Sequence, residues 1–97
     1  RREAFNPAKL RGGITLAAAK RPVSSEQIDR LVFEVEAALR GNKTREVTAE
    51  QVGNIVMEKL RLLDDVAYIR FASVYREFTD AKSFQSEVKQ LLNYNKK

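Results

Sequence analysis

Few residues in this chain are of a type and spacing that could do chemistry. Asp64-Asp65 is its one adjacent carboxylate pair, an arrangement that elsewhere holds a metal ion or divides acid and base roles. Here the pair falls where an apolar helix begins. A carboxylate at that place caps free backbone N–H groups and sits well against the positive end of the helix dipole, so capping is the stronger reading. Ser24-Ser25 is likewise a cap rather than a nucleophile, because a chain without histidine lacks the commonest base. It also lacks cysteine, which excludes thiol chemistry and disulfides and disfavours a transition-metal site. No phosphate-loop, dinucleotide, zinc-protease or hydrolase-elbow spacing occurs. No catalytic residue and no metal ligand is assigned.

Anion binding is better supported. Asn6-Pro7 reads as a helix start, with Asn as cap and Pro tolerated at the first helical position. Such a start presents unpaired N–H groups and a positive dipole end to whatever precedes it. Lys9 stands one turn in, and Arg1, Arg2 and Arg11 add charge nearby. The first 21 residues hold six basic side chains against Glu3 alone, and so carry the entire net +5 of the chain. This concentration argues for a local anionic partner. Phosphates would suit the place. Glu3 would not suit phosphate, but it would suit the donor edge of an adenine or a ribose hydroxyl.

A second group of interest is aromatic. In DVAYIRFASVYREF (65–78), Tyr68, Phe71, Tyr75 and Phe78 recur at steps of three and four. That spacing is first a core stripe. Tyr68 and Tyr75 nonetheless share a face two turns apart, and a buried tyrosine hydroxyl wants a partner, so at least one can reach a polar ligand at the rim. Arg70 falls off the stripe and reads as half of a salt bridge.

The elements that must position these groups are helical. Ninety-seven residues make one small domain. Leu10, Ile14, Ala17 and Ala18 give the first helix, from Asn6-Pro7 to about Lys20, a thin apolar stripe. Gly12-Gly13 inside it permit either close helix contact or an approach to the backbone. Ser24 with Gln27 and Thr48 with Gln51 are spaced as capping boxes. The first opens a helix through Ile28, Leu31, Val32, Val35 and Leu39; the second opens one through Val52, Ile55, Val56, Leu60 and Leu63. Between them the loop GNKTRE leads to a scrap of strand at Glu46-Val47. Asp64 or Asp65 opens the aromatic helix, which is apolar on several sides and therefore central. Asp80 opens a last helix with Phe84, Val88, Leu91 and Leu92 inward and a frayed NYNKK end. The fold class expected is mostly α, a bundle of four to five helices. No run reaches the ~20 apolar residues of a membrane span, and no signal peptide is visible. A cytoplasmic location fits.

Four segments, EAFNPAKL (3–10), KRPVSS (20–25), VGNIVMEKL (52–60) and above all LDDVAYIRFASVYREF (63–78), together resemble the ATP-cone domain of the NrdR family, bacterial regulators of ribonucleotide reductase genes. The resemblance covers essentially all of residues 1–97. It implies a non-catalytic repressor domain that binds ATP and dATP as effectors, with Mg²⁺ accompanying the triphosphate. Nucleotide would then alter a homo-oligomer formed through the cone, and thereby operator DNA binding by the full-length protein in the bacterial cytoplasm and nucleoid. By position, Glu3 and Asn6 match residues that contact the nucleoside, and Lys9 a basic residue facing ribose or phosphate. Tyr75 matches an aromatic lining the pocket. Thr48 and Gly53 match, more loosely, places where the nucleotide approaches. The family's N-terminal zinc ribbon, with four cysteines, and the strand and turn covering the triphosphate have no counterpart among these residues. The β-hairpin lid is therefore expected to be truncated or missing, and zinc is expected only in that absent ribbon. Two alternatives stand beside this reading: the allosteric ATP-cone of a ribonucleotide reductase enzyme, and a basic helical module for protein or nucleic-acid interaction.

Overall fold

Asn6 opens the first helix as its residue type predicts, its Oδ1 accepting the Lys9 N–H at 3.2 Å. The computed structural model describes residues 2–41 and 46–95, without the side chains of Arg2, Glu3 and Glu46. Most of the GNKTRE loop, Arg1 and the last two lysines lie outside the described residues. Helix α1 runs Pro7–Ala17, α2 Ser25–Leu39, α3 Ala49–Leu63, α4 Asp65–Tyr75 and α5 Ala81–Asn95. Strands β1 (Arg2–Ala4) and β2 (Glu46–Thr48) pair antiparallel, Glu3 opposite Val47. The partner strand at Arg2–Ala4 is not foreseen in the sequence. Three residues carry no periodicity, and their pairing lies more than 40 positions away.

Local chemistry sets the helix boundaries. Both capping boxes form: Ser24 and Gln27 exchange bonds at 3.1 and 2.8 Å, Thr48 and Gln51 at 3.0 and 2.9 Å. At the aromatic helix the cap is Asp64, which accepts the Ala67 N–H at 2.9 Å. Asp64 also receives both arms of Arg21, at 2.9 and 3.0 Å. That fork holds its carboxyl below the usual carboxylate range, against the opposing effect of its own burial. Asp80 accepts the Ser83 N–H at the head of α5.

Helix α4 is central, packing on α1, α3 and α5. Ala67 and Ala72 on its inner faces are fully buried and let neighbouring backbones come close, while Ile14, Val35, Val56 and Leu60 fill the core from the other helices. Its outer side is not buried, and Val74 is 79% exposed. Among the described residues Arg70 pairs with no carboxylate, contrary to the salt bridge expected of it. Its guanidinium donates to the carbonyls of Ala17 and Ala19, at 3.2 and 2.7 Å, where α1 ends in unpaired carbonyls and a negative dipole end. Below Arg70 the chain turns through Lys20 at φ 61.

Helix α5 corrects the expected inward face. Phe84 and Leu92 are about half exposed, and the buried positions are Leu91 and Glu87. Glu87 is drawn inside because the Tyr68 hydroxyl donates to it at 2.7 Å and Arg76 pairs with it at 3.1 Å. An apolar pattern cannot register a carboxylate whose partners come from another helix. No described helix is long and apolar enough to cross a membrane.

Candidate functional site

Strand β1 leads through Phe5 and Asn6 into α1, and β2 leads directly into α3. Their pairing gathers two helix starts on one cavity of about 260 Å³, closed on the far side by α4. Asn6, Lys9, Thr48, Gly53 and Tyr75, drawn from three separate stretches of sequence, all line it. The rest of the wall is apolar or aromatic, chiefly Phe5, Leu10, Val52 and Phe71. Among the described lining residues Lys9 is the only charged one.

Asn6 and Thr48 act first as caps. The Oδ1 of one and the hydroxyl oxygen of the other accept the N–H bonds of their helices. What remains for a ligand is the Asn6 amide NH₂ and the Thr48 hydroxyl proton. Two positive helix ends and the Lys9 ammonium make one side of the cavity attractive to anions. The opposite side, with its aromatic and aliphatic groups, suits a flat apolar ring. Such a cavity accommodates a ligand with a negative tail and a planar head.

Tyr75 shapes that second side. Its ring stacks on Phe71 at an interplanar angle of 24°, with centroids 6.2 Å apart, and rests over Gly53, where a Cβ would come within 2.0 Å of the ring. Its hydroxyl donates to the Glu50 carbonyl at 3.0 Å and lies 3.4 Å from Asn54 Oδ1. Burial, with Glu50 nearby, raises the hydroxyl's pKa, so the group is a neutral donor at ordinary pH. Tyr68, two turns back, points elsewhere. Buried against Glu87, its pKa is pushed up to about 12. Of the two same-face tyrosines, only Tyr75 reaches the cavity.

Phe71 and Gly13 are among the lining residues that reading the sequence misses. Phe71 is absorbed into the core stripe, from which spacing alone cannot separate it. Gly13 shows only as part of a glycine pair that permits either close helix contact or an approach to the backbone. Glu3 has its backbone in β1, while its side chain lies outside the described residues. The basic N-terminal fifth is also less free than its composition implies. Arg11 pairs with Asp29 at 2.6 Å, and Arg21 is held by Asp64.

Comparison with known proteins supplies the family. Residues 1–81 match the family described as the ATP cone domain. The transcriptional repressor NrdR of Pelotomaculum thermopropionicum is 51% identical over 96 residues, covering 99% of this chain and 58% of that protein. The repressors of the same name from Desulfitobacterium hafniense and Lactobacillus gasseri are 53% and 48% identical. Those alignments span 95% and 94% of this chain, and 60% and 59% of the relatives. The chain thus spans about three fifths of the length of the curated relatives it matches. With a family match over most of its length, a helical fold and a two-ended cavity between its first, third and fourth helices, the chain belongs to the ATP-cone family.

Proposed function

We propose that residues 1–97 form one ATP-cone that senses ATP and dATP for a transcriptional repressor of ribonucleotide reductase genes, and that the domain is not itself a catalyst. The carrying observation is the meeting of Asn6, Lys9, Thr48, Gly53 and Tyr75 on a single cavity in a chain about half identical to proteins named as that repressor. Helix α5 begins where the family match ends, but its Leu91 belongs to the common core, which supports counting it in the same domain. Lys9 and the two helix starts receive the phosphates, with Mg²⁺ accompanying the triphosphate. The aromatic wall faces the base. Glu3, on β1 beside the cavity, takes a donor group of the nucleoside.

Nucleotide occupancy controls repression only if the oligomeric forms differ in affinity for it. Occupancy then selects which homo-oligomer forms and whether the whole protein engages operator DNA. The relatives' names favour the repressor over the reductase enzyme. The Arg11 and Arg21 ion pairs weigh against a purely electrostatic nucleic-acid module. Calorimetry with ATP and dATP, paired with light scattering under each ligand, tests the reading. Saturable binding accompanied by a change in mass is expected. No heat with either nucleotide, together with salt-sensitive binding of arbitrary duplex, would replace this reading with the electrostatic one.

A further inference from the structure

Arg21 and Arg61 are both paired with a carboxylate, but not in the same way. On Arg21 the Nε and Nη2 arms form one edge of the guanidinium, and Asp64 fills both, at 2.9 and 3.0 Å. On Arg61 the same edge is half filled. Glu58, three residues earlier on α3, accepts from Nη2, whereas Nε is buried and has no partner among the described residues. A buried donor without an acceptor is rare in a native fold and marks the place of a water, an ion or a ligand. This one is not on a loose surface group. The Arg61 side chain is 15% exposed, and its guanidinium lies 4.3 Å from the centroid of the Tyr94 ring on α5, a contact that fixes its plane.

Arg61 lines a cavity of about 120 Å³ between α3, α4 and α5, which shares no lining residue with the cavity described above. Its walls are rich in donors. Arg76 lines it while giving one nitrogen to Glu87 at 3.1 Å, and Asn54 and Gln90 bring side-chain amides. Its size is below the roughly 300–1,000 Å³ of a site for a drug-sized molecule, and suits a group of a few atoms. Glu58 is the removable member, because its side chain is 59% exposed and reaches Arg61 from the solvent side. With Glu58 turned out to water, Arg61, Arg76 and Glu87 leave one net positive charge around the cavity. An entering oxyanion can then take Nε and Nη2 together, as Asp64 does on Arg21. Such two-armed, charge-assisted bonds are among the strongest a guanidinium makes.

We infer that the cavity between α3, α4 and α5 is a binding site for a small oxyanion, a phosphate or carboxylate group, which Arg61 grips through Nε and Nη2 in place of Glu58. A bound anion would tie α3 to α4 and α5 through Arg61, Arg76 and Gln90.

The test titrates the protein with sodium phosphate, acetate and chloride at matched ionic strength. Proton–nitrogen NMR correlation spectra follow the Arg61 Nε–H signal, which the spectrum of Arg61→Lys identifies by its disappearance. Thermal melting is recorded beside them. Phosphate or acetate should move that signal saturably, and the larger response names the source as a phosphate or a carboxylate group. The same anion should raise the melting temperature, since at ten times its dissociation constant it favours the folded state by roughly elevenfold. Glu58→Gln removes the internal competitor and should tighten binding by about two- to fivefold, the scale of one exposed ion pair. Arg61→Lys keeps the charge but loses the two-armed edge, and should weaken the anion's stabilising effect by about tenfold or more. Should that variant fold poorly, the parent and Glu58→Gln decide the matter. An Arg61 signal unmoved by both oxyanions would overturn the inference. So would an equal response to chloride, which is screening alone, or binding no tighter in Glu58→Gln than in the parent. No arm uses an adenine nucleotide, so the outcome is separate from the nucleotide-binding reading.

Discussion

The Tyr75 ring sits on the face of Gly53, and its hydroxyl reaches the Glu50 carbonyl at 3.0 Å, one turn before that glycine on α3. The last residue of α4 is thereby latched onto the first turns of α3, at the wall of the cavity. Replacing Gly53 with alanine forces the ring away. The overpacking cost should exceed the gain in helix propensity and lower stability by about 1–2 kcal/mol. In a Tyr75→Ala background the same substitution should be neutral or stabilising, so a double-mutant cycle by denaturant melting isolates the contact.

Tyr75→Phe keeps the ring and removes the latch. Stability should fall by about 0.5–1.5 kcal/mol, and nucleotide affinity should change if the hydroxyl also serves the ligand. An unchanged isotherm would assign Tyr75 to packing alone.

Lys9 is exposed, and its backbone N–H, not its ammonium, is what the Asn6 cap uses. Lys9→Ala should therefore leave the melting curve in place. It should weaken ATP by about tenfold or more, the scale of one charge-assisted hydrogen bond. Titration at two salt concentrations checks this, since the loss should shrink as salt screens the parent's attraction.

Asp64 gives the fold an acid-sensitive clasp. Its pKa is lowered in the folded chain, chiefly by the Arg21 fork, so the folded state holds that proton less tightly than the unfolded one does. The stabilisation is complete above the ordinary value of 3.8 and is lost as pH falls through the lower folded value. Asp64→Asn retains a capping residue but removes the charge. Its melting temperature should be lower at neutral pH and should depend less steeply on pH in the acid range.

Tyr68, donating to the buried Glu87, works at the opposite end of the scale. With Tyr68 and Arg76 both directed at it, Glu87→Ala leaves a buried phenol and a guanidinium without their acceptor. The cost should be about 2–4 kcal/mol. Tyr68, whose pKa is raised to about 12 by burial and then by Glu87, stabilises the fold below its ordinary pKa of 10.0. That contribution disappears as pH rises through the folded value. An alkaline titration followed by tyrosinate absorbance should show a last phase near pH 12, and Tyr68→Phe should abolish it.

Much of this architecture is readable from the chain because it is local. Asn6, Ser24, Thr48, Asp64 and Asp80 each cap within three residues of their own position, and the stripes through Ile14, Val35, Val56 and Leu60 follow a helical repeat. Those features depend on short-range bonds and on burying one face. The nucleotide-site candidates come from the family wording of four segments, and the anion-binding character from the charge around Lys9.

Only the tertiary arrangement decided the rest. The β1–β2 pairing brings two distant caps to one cavity, a matter of contacts between segments more than 40 residues apart. Arg70 found carbonyls at the end of α1 instead of a carboxylate, because an exposed helix end offers charge that no side-chain letter records. Glu87 went inside and Phe84 stayed half exposed, because Tyr68 and Arg76 satisfied a buried acid from another helix. Gly53 and Gly13 are identical as letters. Packing made one the seat of Tyr75 and left the other open, since what a missing side chain is for depends on what stands opposite it in space.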